Sequence, residues 1–177
     1  MKRHRTALKL AAIFLSLAFI YFVIVPTYGI WSVRWTIGKA LKIADSVRLE
    51  EYSWNAFTNH VLSSAELQPA QREEILQAMP LHIQLGFPGM VARCFYPHHR
   101  VIVATKGQDD LTLQICFGCE QIKLKGQSIQ PTPAQWSKNF RLLLQKFKVD
   151  VKDESAYGKI DSDFLKQDTE QDMPATK

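Results

Sequence analysis

Arg100-Val-Ile-Val-Ala-Thr105, Lys106-Gly-Gln-Asp-Asp110 and Leu111-Thr-Leu-Gln-Ile-Cys-Phe-Gly-Cys-Glu-Gln-Ile-Lys-Leu124 run on from one another and decide the fold. The outer two stretches are rich in β-branched and aliphatic residues, and the middle one collects turn formers, so together they read as a β-hairpin. If the turn centres on Gly107-Gln108, His99 faces Cys116 and Tyr96 faces Cys119. Leu111, Leu113, Ile115 and Phe117 put the apolar face on odd positions, whereas Ile122 and Leu124 put it on even ones. That change of phase predicts a β-bulge at Gly118. In a regular strand Cys116 and Cys119 point to opposite faces; the bulge brings them to one.

Further along, Thr132 reads as an N-cap and Pro133 as the first helical residue. Trp136, Phe140, Leu143, Leu144 and Phe147 then form one broad apolar stripe, the core face of a helix laid on the hairpin sheet. Upstream, Pro69 opens a short helix carrying Ile75, Leu76 and Met79, and Pro80 stops it. Gly86-Phe-Pro-Gly89 reads as a turn, and Ser46-Val-Arg-Leu-Glu-Glu-Tyr52 as a first strand. The fold expected is α+β: a small, mainly antiparallel sheet of three or four strands packed by one or two helices, behind an N-terminal transmembrane helix.

That helix is read from Leu10–Val33, a run without one charged residue and dense in Leu, Ile, Phe, Ala and Val. About 20 such residues cross a bilayer core of about 30 Å. A cleavable signal peptide has a shorter apolar stretch of about 7–15 residues, so the run reads as an uncleaved signal anchor. Trp31 and Trp35 suit the interfacial aromatic belt. Lys2, Arg3, Arg5 and Lys9 precede the run, while Arg34, Lys39 and Lys42 follow it more sparsely. This bias keeps the N-terminus in the cytoplasm and places the domain outside, in the periplasm of a bacterium. Ile30, Val33, Ile37, Leu41 and Ala44 recur at helical spacing and extend the anchor as an amphipathic juxtamembrane helix, read as a link to the domain. The organisation expected is a basic cytoplasmic tip at 1–9, an anchor at 10–33, the juxtamembrane helix and first strand at 34–63, the α+β domain at 64–149, and a disordered acidic tail at 150–177.

The chain has 177 residues, room for one domain plus appendages. Its net charge of +5 is uneven: residues 150–177 hold eight acidic against four basic groups, and the surplus in the middle is thinly spread. No basic patch with interleaved aromatics stands out, which argues against nucleic acid as a partner. Phosphate-binding glycine loops, G-x-S-x-G and H-E-x-x-H are all missing from the sequence.

The three cysteines and two of the five histidines fall in Cys94-Phe-Tyr-Pro-His-His99 and Cys116-Phe-Gly-Cys119. This double box, spanning roughly residues 91–124, resembles a signature of small, functionally uncharacterised bacterial proteins, which pair a C-F-x-P-x-H box with a C-F-x-C box on a β-hairpin. The matched positions are Cys94, His99, Cys116 and Cys119; His98 stands where arginine is common. The resemblance implies no reaction.

Three readings of these residues stay open. Cys94, His99, Cys116 and Cys119 make a tetrahedral zinc set, with His98 as an alternate ligand. A disulfide from Cys94 to Cys116 or Cys119 suits an oxidising periplasm. Thiol–disulfide chemistry at Cys116-Phe-Gly-Cys119 is the third, weakened because no helix N-terminus adjoins the motif to activate a thiol. Free cysteine is also often plain core. His60 and His82 read as ordinary residues, and Glu50-Glu51 and Glu73-Glu74 as solvated faces. The function expected is a membrane-tethered, non-enzymatic binding or accessory module with an unidentified protein partner and a structural Cys/His cluster. The alternative is a periplasmic thiol-redox or metal-handling protein that works through the same cluster.

Overall fold

A computed structural model describes residues 2–53, 60–81, 83, 95–152, 156–157, 160 and 162. The chain starts in one long helical rod: α1 (Lys2–Phe19), a π-helical turn (Ile20–Ile24) and α2 (Val25–Ile43). The stretch Lys9–Ile43 is long and apolar enough to cross a membrane. Strand β1 (Ser46–Tyr52) follows, then β2 (Val61–Glu66), a 3-10 turn (Pro69–Gln71) and α3 (Glu73–Ala78). The second half holds β3 (His99–Ala104), β4 (Leu111–Cys116), β5 (Gln121–Leu124), β6 (Gln130–Pro131) and α4 (Ala134–Lys146). The six strands form one antiparallel sheet in the order β2-β1-β3-β4-β5-β6.

The fold is α+β as expected, but with six strands in place of three or four. Val61-Leu-Ser-Ser-Ala-Glu66 lacks apolar alternation because it is an edge strand, half exposed along its length. The two-residue β6 is too short to leave a pattern. The expected bulge at Gly118 is a reversal instead: Phe117–Glu120 turn the chain, and Cys116 pairs with Gln121. A reversed strand starts a fresh alternation, which gives the same change of phase as a bulge.

Val47, Leu49, Val101, Val103, Leu113 and Ile115 alternate along their strands and point to one face, where they meet the helices in a single core. Trp136, Phe140, Leu143 and Leu144 of α4 are buried there, as the stripe required. Helix α4 begins one residue later than expected: Pro133 is the N-cap, and the Thr132 hydroxyl makes no capping bond. Ile30, Val33, Ile37 and Leu41 of α2 are also buried in this core. The helix read from the sequence as a juxtamembrane link is therefore a layer of the domain. Arg34 donates from Nε to the Met79 carbonyl (2.6 Å), and Arg72 donates to the carbonyls of Ala44 (2.6 Å) and Asp45 (2.9 Å), so cations hold both α2 and its C-terminal end in place.

The opposite sheet face carries Glu50, Tyr52, Arg100 and Gln114. The Arg100 guanidinium pairs with Glu50 (2.7 Å) and lies 4.6 Å from the centre of the Tyr52 ring. Burial pushes the Tyr52 phenol up to about 12, against a lowering hydrogen bond from Gln114.

Candidate functional site

Helix α4 ends in a tight reversal that steers the chain back over the sheet. Lys148, beyond the Phe147 C-cap, takes a left-handed φ of 58°. Its N–H donates to the Gln145 carbonyl (3.0 Å), and the Val149 N–H donates to that of Leu144 (2.9 Å). These are the two bonds of a Schellman motif. Val149 is buried, and residues 150–152 pass over the end of the sheet where β1, β2 and β3 bring Glu51, Ser63 and His99 side by side. Tyr157 then inserts its ring there, almost wholly buried. The tail expected to be disordered from residue 150 thus begins with a docked stretch.

The polar groups form one directed network. The Glu51 carboxylate is fully buried and accepts from the Ser63 hydroxyl (2.9 Å), the Tyr157 hydroxyl (3.1 Å) and the Lys152 ammonium. The His99 Nε2 lies 2.8 Å from the Asp150 carbonyl oxygen, which can only accept, so this nitrogen carries the proton. The same nitrogen lies 3.3 Å from the Tyr157 hydroxyl oxygen, which also accepts from the Lys152 backbone N–H (3.1 Å). Burial pushes the His99 imidazole down to about 4; the bond to Asp150 and the charge of Glu51 work against that shift without reversing it. The ring is neutral at pH 7. His98, also buried, stacks on Tyr157 at 3.9 Å between ring centres, and its Nδ1 lies 3.3 Å from the Tyr52 carbonyl.

Glu50 and Glu51 are therefore not a solvated face. Glu51 continues the odd-numbered phase of Val47 and Leu49 into the core, and Glu50 is buried against Arg100 on the other face. The alternation in Ser46–Tyr52 carried that signal. Nothing in the tail's composition marked Lys152 or Tyr157.

Next to this network, Cys116 and Cys119 are joined as a disulfide across the β4–β5 turn, with Cα atoms 5.6 Å apart. Cys116 is buried and Cys119 half-buried. The Cys119 N–H points at the Cys116 Sγ (3.3 Å). Phe117 between them packs edge-on against His99 at 5.0 Å, with the Arg141 guanidinium 4.4 Å from its ring centre. Cys94, His82 and Gly86–Gly89 lie outside the described residues.

The strand register corrects the expected meeting of His99 with Cys116. His99 pairs with Ile115, because the hairpin turn centres on Gly107 itself and not between Gly107 and Gln108. Side chains alternate, so His99 shares the core face with Ile115 while Cys116 points the other way. The disulfide joins Cys116 to Cys119, where the sequence suggested Cys94 to one of them. Among the described residues, no three His, Cys, Asp or Glu side chains gather as a metal would need. Trp31 and Trp35 are exposed on α2, the latter beneath the Lys39 ammonium at 3.5 Å.

Among the described residues, each hydrogen bond named above runs within the chain, and the His99 Nε2 is committed to main-chain and phenol oxygens. Such an arrangement holds the tail, the sheet end and the cysteine turn together. Comparison with protein-family models, curated proteins and solved structures found no match.

Proposed function

We propose that this chain is a membrane-tethered, non-enzymatic binding or accessory module of the bacterial periplasm, with its Cys/His cluster in a structural role and Cys116–Cys119 as the covalent clasp. The observation that carries the reading is the internal bonding around His99: its Nε2, Glu51, Tyr157 and Lys152 bond one another and the backbone. A catalytic acid or base needs a free position facing a substrate. The apolar N-terminal helix, its basic start and a disulfide suited to an oxidising compartment support the location.

The test uses the full chain, purified from membranes in mild detergent without reductant. Intact mass and peptide mapping are expected to show a deficit of two hydrogens, placed on Cys116 and Cys119. Closing so short a loop limits the denatured chain by about 2 kcal/mol, so reduction is expected to lower the unfolding free energy by that amount. A mass excess matching one zinc ion, lost on acidification, would overturn the disulfide in favour of a thiolate–imidazole site built with Cys94.

One observation favours a second reading, thiol–disulfide exchange at the same pair. The Cys119 N–H aimed at the Cys116 Sγ is placed to stabilise a thiolate once the bond opens. The reduction potential separates the two: a structural clasp is expected below about −300 mV, and an exchanging pair well above it.

A further inference from the structure

The helical rod is shared between two environments, and its length fixes where they meet. Leu10–Val25 carries exposed apolar side chains, among them Phe14 at 73 % and Leu15 at 68 % exposure. At about 1.5 Å per residue this part covers roughly 25 Å, short of a hydrocarbon core of about 30 Å. Lys9 and Arg5 stand at its start, so the missing length has to come from the other end, up to about Gly29. There the domain is already attached: Thr27 and Ile30 are buried, and Gly29 packs so closely on the Gln130 side chain that a Cβ would fall 2.6 Å from its oxygen. The last turn of a spanning helix and the first turn of the domain's core layer are one turn.

The surface at that level is apolar. Tyr28 is 71 % exposed, and Leu81 and Ile83, which follow Pro80 out of the folded core, are 69 % and 62 % exposed. Ile83 closes a groove against Val23, Ile24, Thr27, Tyr28 and Trp31 of the rod, with a volume of about 230 Å³. Among the described residues no charged one lines it, and it is smaller than a typical small-molecule pocket of about 300 Å³ or more. One wall is the surface of the rod that a bilayer would cover.

We propose that this rim of the domain is sunk into the outer leaflet and that the groove takes a phospholipid acyl chain. The proposal rests on the membrane-tethered reading above. The domain then has a fixed posture on the bilayer, with the β3–β4 hairpin at the far end. From Gly29 to its end at Ile43, α2 rises about 21 Å, and the Lys106 N–H at that hairpin bonds the Asp45 carboxylate just beyond it.

Benzophenone side chains placed singly at Phe14, Tyr28, Ile83 and Gln108 of the full chain test this in vesicles of phosphatidylethanolamine and phosphatidylglycerol. Irradiation is expected to add the mass of one phospholipid, linked through an acyl carbon, at Phe14, Tyr28 and Ile83. Gln108 is expected to stay unmodified. Lipid adducts at Phe14 with none at Tyr28 or Ile83 would overturn the proposal and leave the membrane span standing. Crosslinks from Ile83 to protein alone would overturn it in favour of a partner chain. Absence of adducts at Phe14 as well would remove the membrane reading together with the proposal.

Discussion

His99 sits where three strands and the returning tail converge, and protonating it weakens their hold on one another. Its carbonyl and phenol partners leave one nitrogen protonated and the ring neutral. The folded value of about 4 lies below the ordinary 6.5. Between these two values the unfolded chain binds the proton and the folded one does not, so stability falls as pH falls through that window and is level above it. The expected loss is about 2 kcal/mol by pH 5 and about 3 kcal/mol by pH 4. Urea unfolding of the full chain in detergent at pH 7 and pH 5 measures it, and His99→Gln, which keeps an N–H donor, is expected to flatten the slope. An equal slope in the variant would place the pH dependence elsewhere. The sequence marked His99 through its neighbours Cys94 and Pro97, yet gave it a sulfur partner. The error was one residue of register, enough to exchange a thiol for the Glu51 carboxylate and Tyr157 phenol on the core face.

The elements were legible where a period ran long enough to count. The α4 stripe, the Ser46–Tyr52 strand and the hairpin all carried their pattern in the residues. The β4–β5 turn did not, because a bulge and a reversal leave the same change of phase, and only pairing of Cys116 with Gln121 separates them. The end of α4 was hidden for another reason: its left-handed position is filled by Lys148 where glycine is usual. A residue with a Cβ pays roughly 1 kcal/mol to stand there. Lys148→Gly is therefore expected to raise the unfolding free energy by somewhat less than that, about 0.5–1 kcal/mol, since glycine also gains freedom in the unfolded chain. Thermal or urea denaturation reads the gain directly. A loss of stability on this substitution would mean that the lysine side chain contributes more than its backbone strain costs.

Across the whole molecule, the boundary that the sequence drew at Val33, where the charge-free run ends, cuts through the core. Charge marks where the apolar run ends along the rod, but burial of Ile30 and Val33 depends on strands that lie far away in sequence. Ile30, Val33, Ile37 and Leu41 form the α2 layer over the sheet, and fully burying such side chains contributes about 1.5–3 kcal/mol each. Their loss amounts to roughly 6–12 kcal/mol, comparable with the whole stability of an ordinary domain at about 5–15 kcal/mol. A chain shortened to residues 45–177 is thus expected to lack a cooperative unfolding transition and to show no slow-exchanging amides in β3 and β4. A chain from residue 34 loses Ile30 and Val33 and is expected to fold only marginally, whereas one from residue 26 keeps all four side chains. Near-ultraviolet circular dichroism and hydrogen exchange on the three lengths would rank them. If the shortest proved as stable as the longest, α2 would be an appendage lying on the domain. The ranking expected here makes it a shared element, whose first turn lies in the proposed membrane and whose remainder completes the fold.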